Sequence, residues 1–195
     1  MHPSDTDSPA SEAANEAAES LRVASSGPAN RLTRSTIILA SLAGVVVTLD
    51  QTTKAVVRAT LPLHDSVEFI PNFLSFTYVR NTGAAFGLLN GVDFPLKTAV
   101  MTMIALTALV AIGVYAAKTA IPQRATRLGL ALVIGGAAGN LIDRIMFGYV
   151  VDFVDVYWRG WHFWAFNVAD AAITIGASLL ILDMIWMERY VSKTV

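Results

Sequence analysis

Two aspartates in polar segments beside long apolar runs have the residue type and spacing for acid–base chemistry. Asp152 lies between Val151 and Phe153, and Asp170 stands three residues after Asn167 on the same face of an expected helix. The connection between the two segments is short enough to let the carboxyl groups meet. Two carboxylates in contact cannot readily both ionise, so one keeps a proton at neutral pH. Such a pair can activate water with its ionised member and protonate a scissile carbonyl with the other.

Other hydrolytic chemistries lack their parts in this sequence. There is no cysteine, and no serine is accompanied by a credible histidine base. The three histidines, His2, His64 and His162, form neither a His-x-x-His nor a His-Glu-x-x-His spacing. We therefore expect no catalytic metal, and acid–base hydrolysis is what remains.

Two smaller polar clusters precede these aspartates along the chain. Asp50 and Lys54 are four residues apart and can pair on one helical face, which is equally consistent with a neutralised helix end and with a functional site. Asn81 and Gly83 lie in a glycine-containing loop after an expected strand. Small residues let a backbone lie close to an extended peptide, although such turns are often only loops.

A third cluster ends an apolar stretch of the chain. Gly135 and Gly139 form a small-xxx-small pair, which requires no function beyond close helix packing. Asn140 and Asp143 share one face of the same helix. Arg144 follows Asp143 directly, and we predict that the two form a bidentate arginine–carboxylate pair.

Two further aspartates are not expected to take part in chemistry. Asp183 comes 13 residues after Asp170, which on a helix is roughly 20 Å away and rotated by about 220°. We predict that it snorkels near the cytoplasmic end of its helix. Asp155, on a polar loop beside Tyr157, is expected to be solvated or to brace that loop.

The elements that must position these residues are membrane-spanning helices. Over 195 residues the chain is 54% hydrophobic, and long uncharged stretches recur along it. A bilayer core requires about 20 apolar residues per helix. The predicted fold is a mostly α membrane protein with four transmembrane helices, at about 35–56, 97–118, 126–144 and 164–187. Because Asp50, Asp143 and Asp170 fall at or near one end of three of these helices, carboxylates collect at one membrane face.

Charge sets the expected orientation and partners. Basic residues on one side of the spans are typical of the cytoplasmic side, and here they are Arg22, Arg31, Arg34, Lys118, Arg124, Arg127, Arg189 and Lys193. Both termini are therefore expected in the cytoplasm. Trp158, Trp161 and Trp164 fit an aromatic belt in contact with membrane lipids. A net charge of -1 argues against a nucleic-acid partner.

Two segments outside the helices complete the predicted organisation. Residues 1–34 lack aromatic side chains and are expected to be a disordered cytoplasmic tail, followed by one membrane-embedded domain over residues 35–195. A cleavable signal peptide at the first apolar run is disfavoured, because polar residues rather than small ones follow Leu49. Between the first and second helices, at about 58–90, two short strands are predicted to form a small β-element.

Five ordered motifs carry a resemblance to a known family. They are Asp50-Gln-x-x-Lys54, Asn81-x-Gly83-Ala-Ala-Phe86, Gly136-x-x-Gly139-Asn140-x-x-Asp143-Arg144, Val151-Asp152-Phe153 and Phe166-Asn167-x-Ala169-Asp170. Together they make residues 36–186 resemble lipoprotein signal peptidase, the signal peptidase II family of intramembrane aspartyl peptidases. The resemblance implies removal of signal peptides from diacylglyceryl-modified prolipoproteins, immediately before the lipidated cysteine and without a metal or organic cofactor. We further expect a monomer in the bacterial cytoplasmic (inner) membrane, with its active site at the extracytoplasmic face.

The resemblance also assigns roles to individual residues. It makes Asp152 and Asp170 the catalytic pair and the β-element an extracytoplasmic cradle for the substrate. Supporting contacts around the substrate or the pair are assigned to Asp50, Lys54, Asn81, Gly83, Asn140, Arg144 and Asn167.

The residues alone leave two other function classes open. Intramembrane aspartates and asparagines also line transport or proton pathways, although here they cluster at one face and no inverted repeat is visible. A membrane scaffold or lipoprotein-binding subunit is the third class, but a scaffold has no need for two paired aspartates. Cleavage of a lipidated precursor would separate the three.

Overall fold

A computed structural model of the chain describes residues 13–17, 28–83, 96–118 and 124–191. The chain divides into two compact units, residues 1–38 and 39–195. In the first unit, the described residues 13–17 and those from Pro28 onward are helical. The rest of the predicted disordered tail, at 1–12 and 18–27, lies outside the described residues.

Four long helices account for most of the described chain. They are α1 (Pro28–Thr60), α2 (Lys97–Lys118), α3 (Arg124–Phe147) and α4 (Val168–Val191). Each contains a segment long and apolar enough to cross a bilayer, at Thr36–Thr60, Lys97–Ala116, Arg124–Phe147 and Val168–Trp186. The prediction of a four-helix membrane protein is confirmed, and the chain is a multi-pass membrane protein.

The first helix continues well beyond Asp50, the residue at which its apolar run stops. We expected it to end near residue 56, and it extends to Thr60. Asp50 and Lys54 do not break the helix because both are fully buried and their charged groups lie 2.8 Å apart, one helical turn along. The predicted pairing of these two residues is confirmed.

Glycines let α3 approach both α1 and α4 closely. A Cβ atom placed on Gly135 would lie 2.7 Å from the backbone oxygen of Ala43 in α1, which is too close for any side chain. A Cβ on Gly136 would lie 2.5 Å from the backbone oxygen of Ala169 in α4. The packing role predicted for Gly135 is confirmed. Helix α3 packs closely against both α1 and α4.

A four-stranded antiparallel sheet caps one end of the helices. Its strands are β1 (Ser66–Ile70), β2 (Leu74–Asn81), β3 (Val150–Trp158) and β4 (Trp161–His162), in the order β1-β2-β3-β4. The first two lie within the predicted β-element. The other two come from the segment between α3 and α4, where the prediction of a polar loop is wrong. The sheet therefore joins both connections on this side of the protein.

The pairing of β2 with β3 brings two distant polar residues to the same end of the sheet. Val79 lies opposite Asp152, and Asn81 lies opposite Val150. Below this end, buried apolar side chains fasten the sheet to the end of α1, and they are Val57, Tyr78, Val151 and Phe153. Val151 and Phe153, the two neighbours of Asp152 in the chain, belong to this buried cluster. Their packing holds Asp152 at the ends of α3 and α4.

Candidate active site

Asp152 lies in β3 and its side chain is almost completely enclosed, with 3% of the residue exposed. The side-chain amide of Asn81 donates to Asp152 Oδ2 at 3.0 Å, and that of Asn167 donates to Oδ1 at 2.7 Å. Burial, together with the nearby charge of Asp170, raises the pKa of the Asp152 carboxyl from 3.8 to about 7. The carboxyl group is therefore able to hold a proton at neutral pH.

Asp170 lies in the first turn of α4 and is half-buried. The Asn140 side-chain amide donates to Asp170 Oδ1 at 2.8 Å, and the Asn167 backbone N–H donates to Oδ2 at 3.3 Å. In return, the Asp170 backbone N–H donates to Asn167 Oδ1 at 2.9 Å, which completes a reciprocal cap at the start of the helix. The N-terminal end of a helix favours a carboxylate over a neutral acid.

Asn167 connects the two aspartates directly. Its side-chain amide donates to Asp152 while its backbone amide donates to Asp170. The same side-chain nitrogen lies 3.2 Å from Asn140 Oδ1 and 3.2 Å from the backbone oxygen of Val151. One asparagine thus fixes both carboxyl groups and the strand that carries the first of them.

A buried lysine lies directly below the asparagines. Lys54 Nζ is 2.8 Å from Asp50 Oδ2, 3.1 Å from Asp143 Oδ2 and 2.9 Å from Asn140 Oδ1. Lys54, Asp50 and Asp143 have no exposed surface. The three N–H groups of the ammonium therefore have three oxygen partners, which is what a charge in such a place requires.

The predicted pair between Arg144 and Asp143 is wrong. Arg144 instead donates to the backbone oxygen of Asn140 at 3.3 Å and to that of Gly83 at 3.1 Å. Neighbouring positions on a helix point about 100° apart, so the two side chains leave α3 in different directions. The Gly83 backbone N–H donates to Asn81 Oδ1 at 2.9 Å, so Arg144 and Asn81 together hold this loop beside the aspartates.

One member of the buried network was missed in the sequence. Gln51 Nε2 lies 3.1 Å from Asp143 Oδ1, 3.0 Å from the backbone oxygen of Gly139 and 3.2 Å from Asp50 Oδ2. Its position between Asp50 and Lys54 in the first motif was the available signal. All seven supporting residues assigned by resemblance lie within this connected set around Asp152 and Asp170.

Asp155 and Asp183 are both held elsewhere. Asp155 is part of β3 rather than a loop, and its carboxylate lies 2.9 Å from His162 Nδ1. Asp183 accepts a hydrogen bond from the hydroxyl of Thr126, in the first turn of α3. That contact lies at the opposite end of α3 from Asn140, so Asp183 is remote from the site. Its threonine partner, 57 residues earlier in the chain, could not be predicted from the residues around Asp183.

No group of three or more His, Cys, Asp or Glu side chains within the described ranges could hold a metal ion. The arrangement is instead a pair of carboxyl groups, one enclosed and one half-exposed, set in a frame of asparagine amides. Such a pair can take a proton from water and give one to a carbonyl oxygen.

Known proteins resemble this chain in both sequence and fold. A family model described as signal peptidase (SPase) II matches residues 42–186. A lipoprotein signal peptidase of Geobacter metallireducens is 44% identical over 156 residues, which cover 80% of this chain and 95% of the relative. One from Shewanella loihica is 46% identical over 147 residues, covering 74% of this chain and 84% of the relative.

Two solved structures share the fold. A bacterial membrane enzyme determined by the in meso method at 2.3 Å resolution has a TM-score of 0.68 and 36% sequence identity, covering 76% of this chain and 87% of its own. A second, determined in the same way at 1.9 Å, has a TM-score of 0.66 and 32% identity, covering 75% and 92%. Both are described as bacterial membrane enzymes. The chain belongs to the signal peptidase II family and is a multi-pass membrane peptidase.

Proposed function

We propose that this peptidase removes the signal peptide from diacylglyceryl-modified prolipoproteins and cuts immediately before the lipidated cysteine, with Asp152 and Asp170 as the catalytic pair. The observation that carries the proposal is the shared partner Asn167, which hydrogen-bonds to both carboxyl groups at once. A residue that fixes two carboxyl groups together is what a pair sharing one proton requires.

The surroundings of the two aspartates suggest how the roles divide. Asp170 is half-exposed at the start of α4, whereas Asp152 is enclosed, so Asp170 is the member that a water molecule can reach and it acts as the base. It takes a proton from water, and the water oxygen forms a bond to the carbonyl carbon of the scissile peptide. Asp152, enclosed and protonated, gives its proton to the carbonyl oxygen. When the intermediate collapses, the carbonyl re-forms and returns that proton to Asp152, while Asp170 delivers its proton to the departing amine of the cysteine.

The depth of the pair suits a substrate that is itself anchored in the membrane. Asp170 lies within the spanning segment Val168–Trp186, whereas Asp152 lies on a strand just outside the spans. A signal peptide has an apolar stretch, and a diacylglyceryl group on cysteine adds two acyl chains that partition into the bilayer. The bond between them would therefore lie near the membrane surface, at the depth of the two carboxyl groups.

Orientation and assembly follow from the same features. Eight of the 14 basic residues precede the first span, join the second span to the third or follow the fourth, and six lie in or beside the connections on the other side. We therefore assign the side with eight to the cytoplasm and the site to the extracytoplasmic face of the inner membrane. The hydrogen bonds that hold Asp152 and Asp170 all come from one chain. A monomer is therefore sufficient to build the site.

The assignment of substrate is tested with purified protein in detergent and two versions of one precursor, with and without the diacylglyceryl group. We expect release of the signal peptide and of a product that begins with the lipidated cysteine, from the lipidated precursor only. Mass spectrometry identifies the bond that is cut. Cleavage confined to the unlipidated precursor, or at another bond, would remove the substrate assignment.

The pH dependence of the reaction tests the division of roles. Because Asp152 must give up a proton and its pKa is about 7, activity should fall on the alkaline side with a midpoint near pH 7, as the pair loses its last proton. At low pH Asp170 gains a proton and can no longer act as a base, so activity should fall there as well. The measurement is kcat/KM from about pH 4 to 10. A profile that is flat through the acidic range would contradict a pair that shares one proton.

A further inference from the structure

Two fully buried carboxylates each bind the backbone N–H of the residue immediately before an active-site aspartate. The Val151 N–H donates to Asp143 Oδ2 at 3.0 Å, and Asp152 follows Val151. The Ala169 N–H donates to Asp50 Oδ1 at 2.9 Å, and Asp170 follows Ala169. Each aspartate of the pair is thus preceded by a backbone amide that is held by a different helix.

Lys54 joins the two carboxylates that make these contacts. Its ammonium lies 2.8 Å from Asp50 and 3.1 Å from Asp143, so one cation bridges α1 and α3. The cluster Asp50–Lys54–Asp143 is called the carboxylate clamp below. Gly139 leaves the room that the clamp needs, because a Cβ at that position would lie 2.5 Å from Asp50 Oδ2.

Lys54 and the two backbone N–H groups share the oxygen atoms of the two buried carboxyl groups. Asp143 Oδ2 accepts from both Lys54 and the Val151 N–H, whereas Asp50 contacts Lys54 through Oδ2 and the Ala169 N–H through Oδ1. Hydrogen bonds from N–H groups to carboxylate acceptors are short and about twice as strong as neutral ones. The clamp therefore sets two points of the backbone, one in β3 and one at the start of α4.

The N–H of Val151 belongs to the planar peptide unit that ends at the Val151 Cα, and the Asp152 Cα lies one further rigid peptide unit, about 3.8 Å, along the chain. Holding the N–H groups of Val151 and Ala169 therefore fixes the residue directly before each aspartate and restricts where the Cα atoms of Asp152 and Asp170 can lie. Reactions that depend on alignment lose about 10²-fold in rate when a group is displaced by roughly 1 Å.

We propose that the carboxylate clamp is a positioning device that sets the separation of Asp152 and Asp170 through the backbone, and that it does not contact the substrate. Its three members have no exposed surface, so a substrate cannot reach them. This inference rests on the proposed role of the two aspartates and names what aligns them. It also gives Asp50, Lys54 and Asp143 a single shared task.

The first test changes the carboxylates to their amides, as Asp50→Asn and Asp143→Asn. The matched control is Asp183→Asn, which alters another hydrogen-bonded carboxylate on a spanning helix but lies outside the clamp. With the lipidated precursor, we expect kcat to fall roughly 10- to 100-fold in both clamp variants while KM changes by less than about twofold, and the control to keep the wild-type values.

The second test removes only the backbone donors and leaves every side chain in place. Val151 is replaced by its α-hydroxy acid, which turns the amide into an ester without an N–H, and Ala169 is replaced by lactic acid in the same way. These proteins keep the buried charges intact, so they remain informative if an amide variant fails to fold. We expect each ester to lower kcat, and the ester at 151 combined with Asp143→Asn to be no slower than the slower single change, because both remove one contact.

The outcomes separate this inference from the proposed function. If Asp152→Asn or Asp170→Asn keeps activity, the proposed function fails whatever the clamp does. If those variants are inactive but the folded clamp variants keep the wild-type kcat, the positioning role fails alone. A rise in KM at constant kcat would also overturn it, because that result belongs to a residue that binds substrate. If the double variant, Asp143→Asn with the ester at 151, loses kcat by the product of the two single losses, the two changes act independently. That result would show that Asp143 does not act through its hydrogen bond to the Val151 N–H.

Discussion

Replacing Asp152 or Asp170 by asparagine is expected to lower kcat by about 10³-fold, the size of effect associated with removing a general acid or base. Asparagine keeps the shape of the side chain and its hydrogen-bonding oxygen, but it can neither carry the shared proton nor accept one from water. Because the two groups act together, the double variant should be little worse than either single one. The measurement is the rate of signal-peptide release from the lipidated precursor under single-turnover conditions.

Asp155→Asn provides the matched control for these variants. Asp155 lies on the same strand as Asp152, but it faces His162 and not the site, so activity should stay within about twofold of the wild type. If Asp152→Asn or Asp170→Asn keeps a tenth or more of the wild-type rate, the two aspartates are not the catalytic pair.

Asp152→Asn, which is expected to lower activity, is not expected to lower stability. In the folded protein the pKa of Asp152 is about 7, whereas its ordinary value is 3.8, so between these values the folded state holds a proton that the unfolded state has released. The free energy of unfolding therefore falls as the pH rises from about 4 to 7, and the loss is complete above 7. Asp152→Asn removes this cost, and the inactive variant should be at least as stable as the wild type at pH 8.

The largest effect on stability is expected from Lys54→Met, which should lower the free energy of unfolding by about 3–5 kcal/mol. The change leaves Asp50 and Asp143 buried without the cation that lies 2.8 and 3.1 Å from them. Unfolding by heat or denaturant in detergent micelles measures the loss. A Lys54→Met protein as stable as the wild type would mean that the cluster does not carry the charges assigned to it.

A triple variant, Lys54→Met with Asp50→Asn and Asp143→Asn, gives the comparison that isolates charge from packing. It removes all three charges of the clamp together and leaves only Arg58, whose guanidinium lies 3.9 Å from Asp143 and is partly exposed, without its carboxylate. We therefore expect the triple variant to recover part of the lost stability. It should not recover activity, because the ionised acceptors for the two backbone amides are gone. Recovery of both would indicate that the cluster matters only for folding.

Features that depend on nearby residues in the chain could be predicted from the sequence. The spans follow from the length of the apolar runs, and the Asp50–Lys54 contact follows from a spacing of one helical turn. The close packing at Gly135 follows from the small-xxx-small pattern. Each of these rests on helix geometry alone, which is the same in any fold.

Features that depend on the packing of one helix against another could not be predicted from the sequence. Asp143 has a natural sequence neighbour in Arg144, and only the packing of α1 against α3 reveals that its cation is Lys54, 89 positions earlier in the chain. The strand β3 did leave a local sign in Val150–Trp158, which contains four valines and three aromatic residues, the types that favour strands. The two aspartates and the adjacent tryptophans are typical of a loop and therefore predicted one. The segment forms a strand because it pairs with β2.

The long sequence separations within the carboxylate clamp also fix when the site can exist during synthesis. Asp50 binds the amide of Ala169, which is 119 residues further along. At about 5–20 residues per second, the ribosome needs roughly 6–24 s to make that stretch. Through this interval the first helix carries its charges without α3 or α4 to cover them, and Asp50 has its partners within the same helix, Lys54 one turn away and the adjacent Gln51. The nascent chain therefore has no peptidase activity until its last helix has been synthesised.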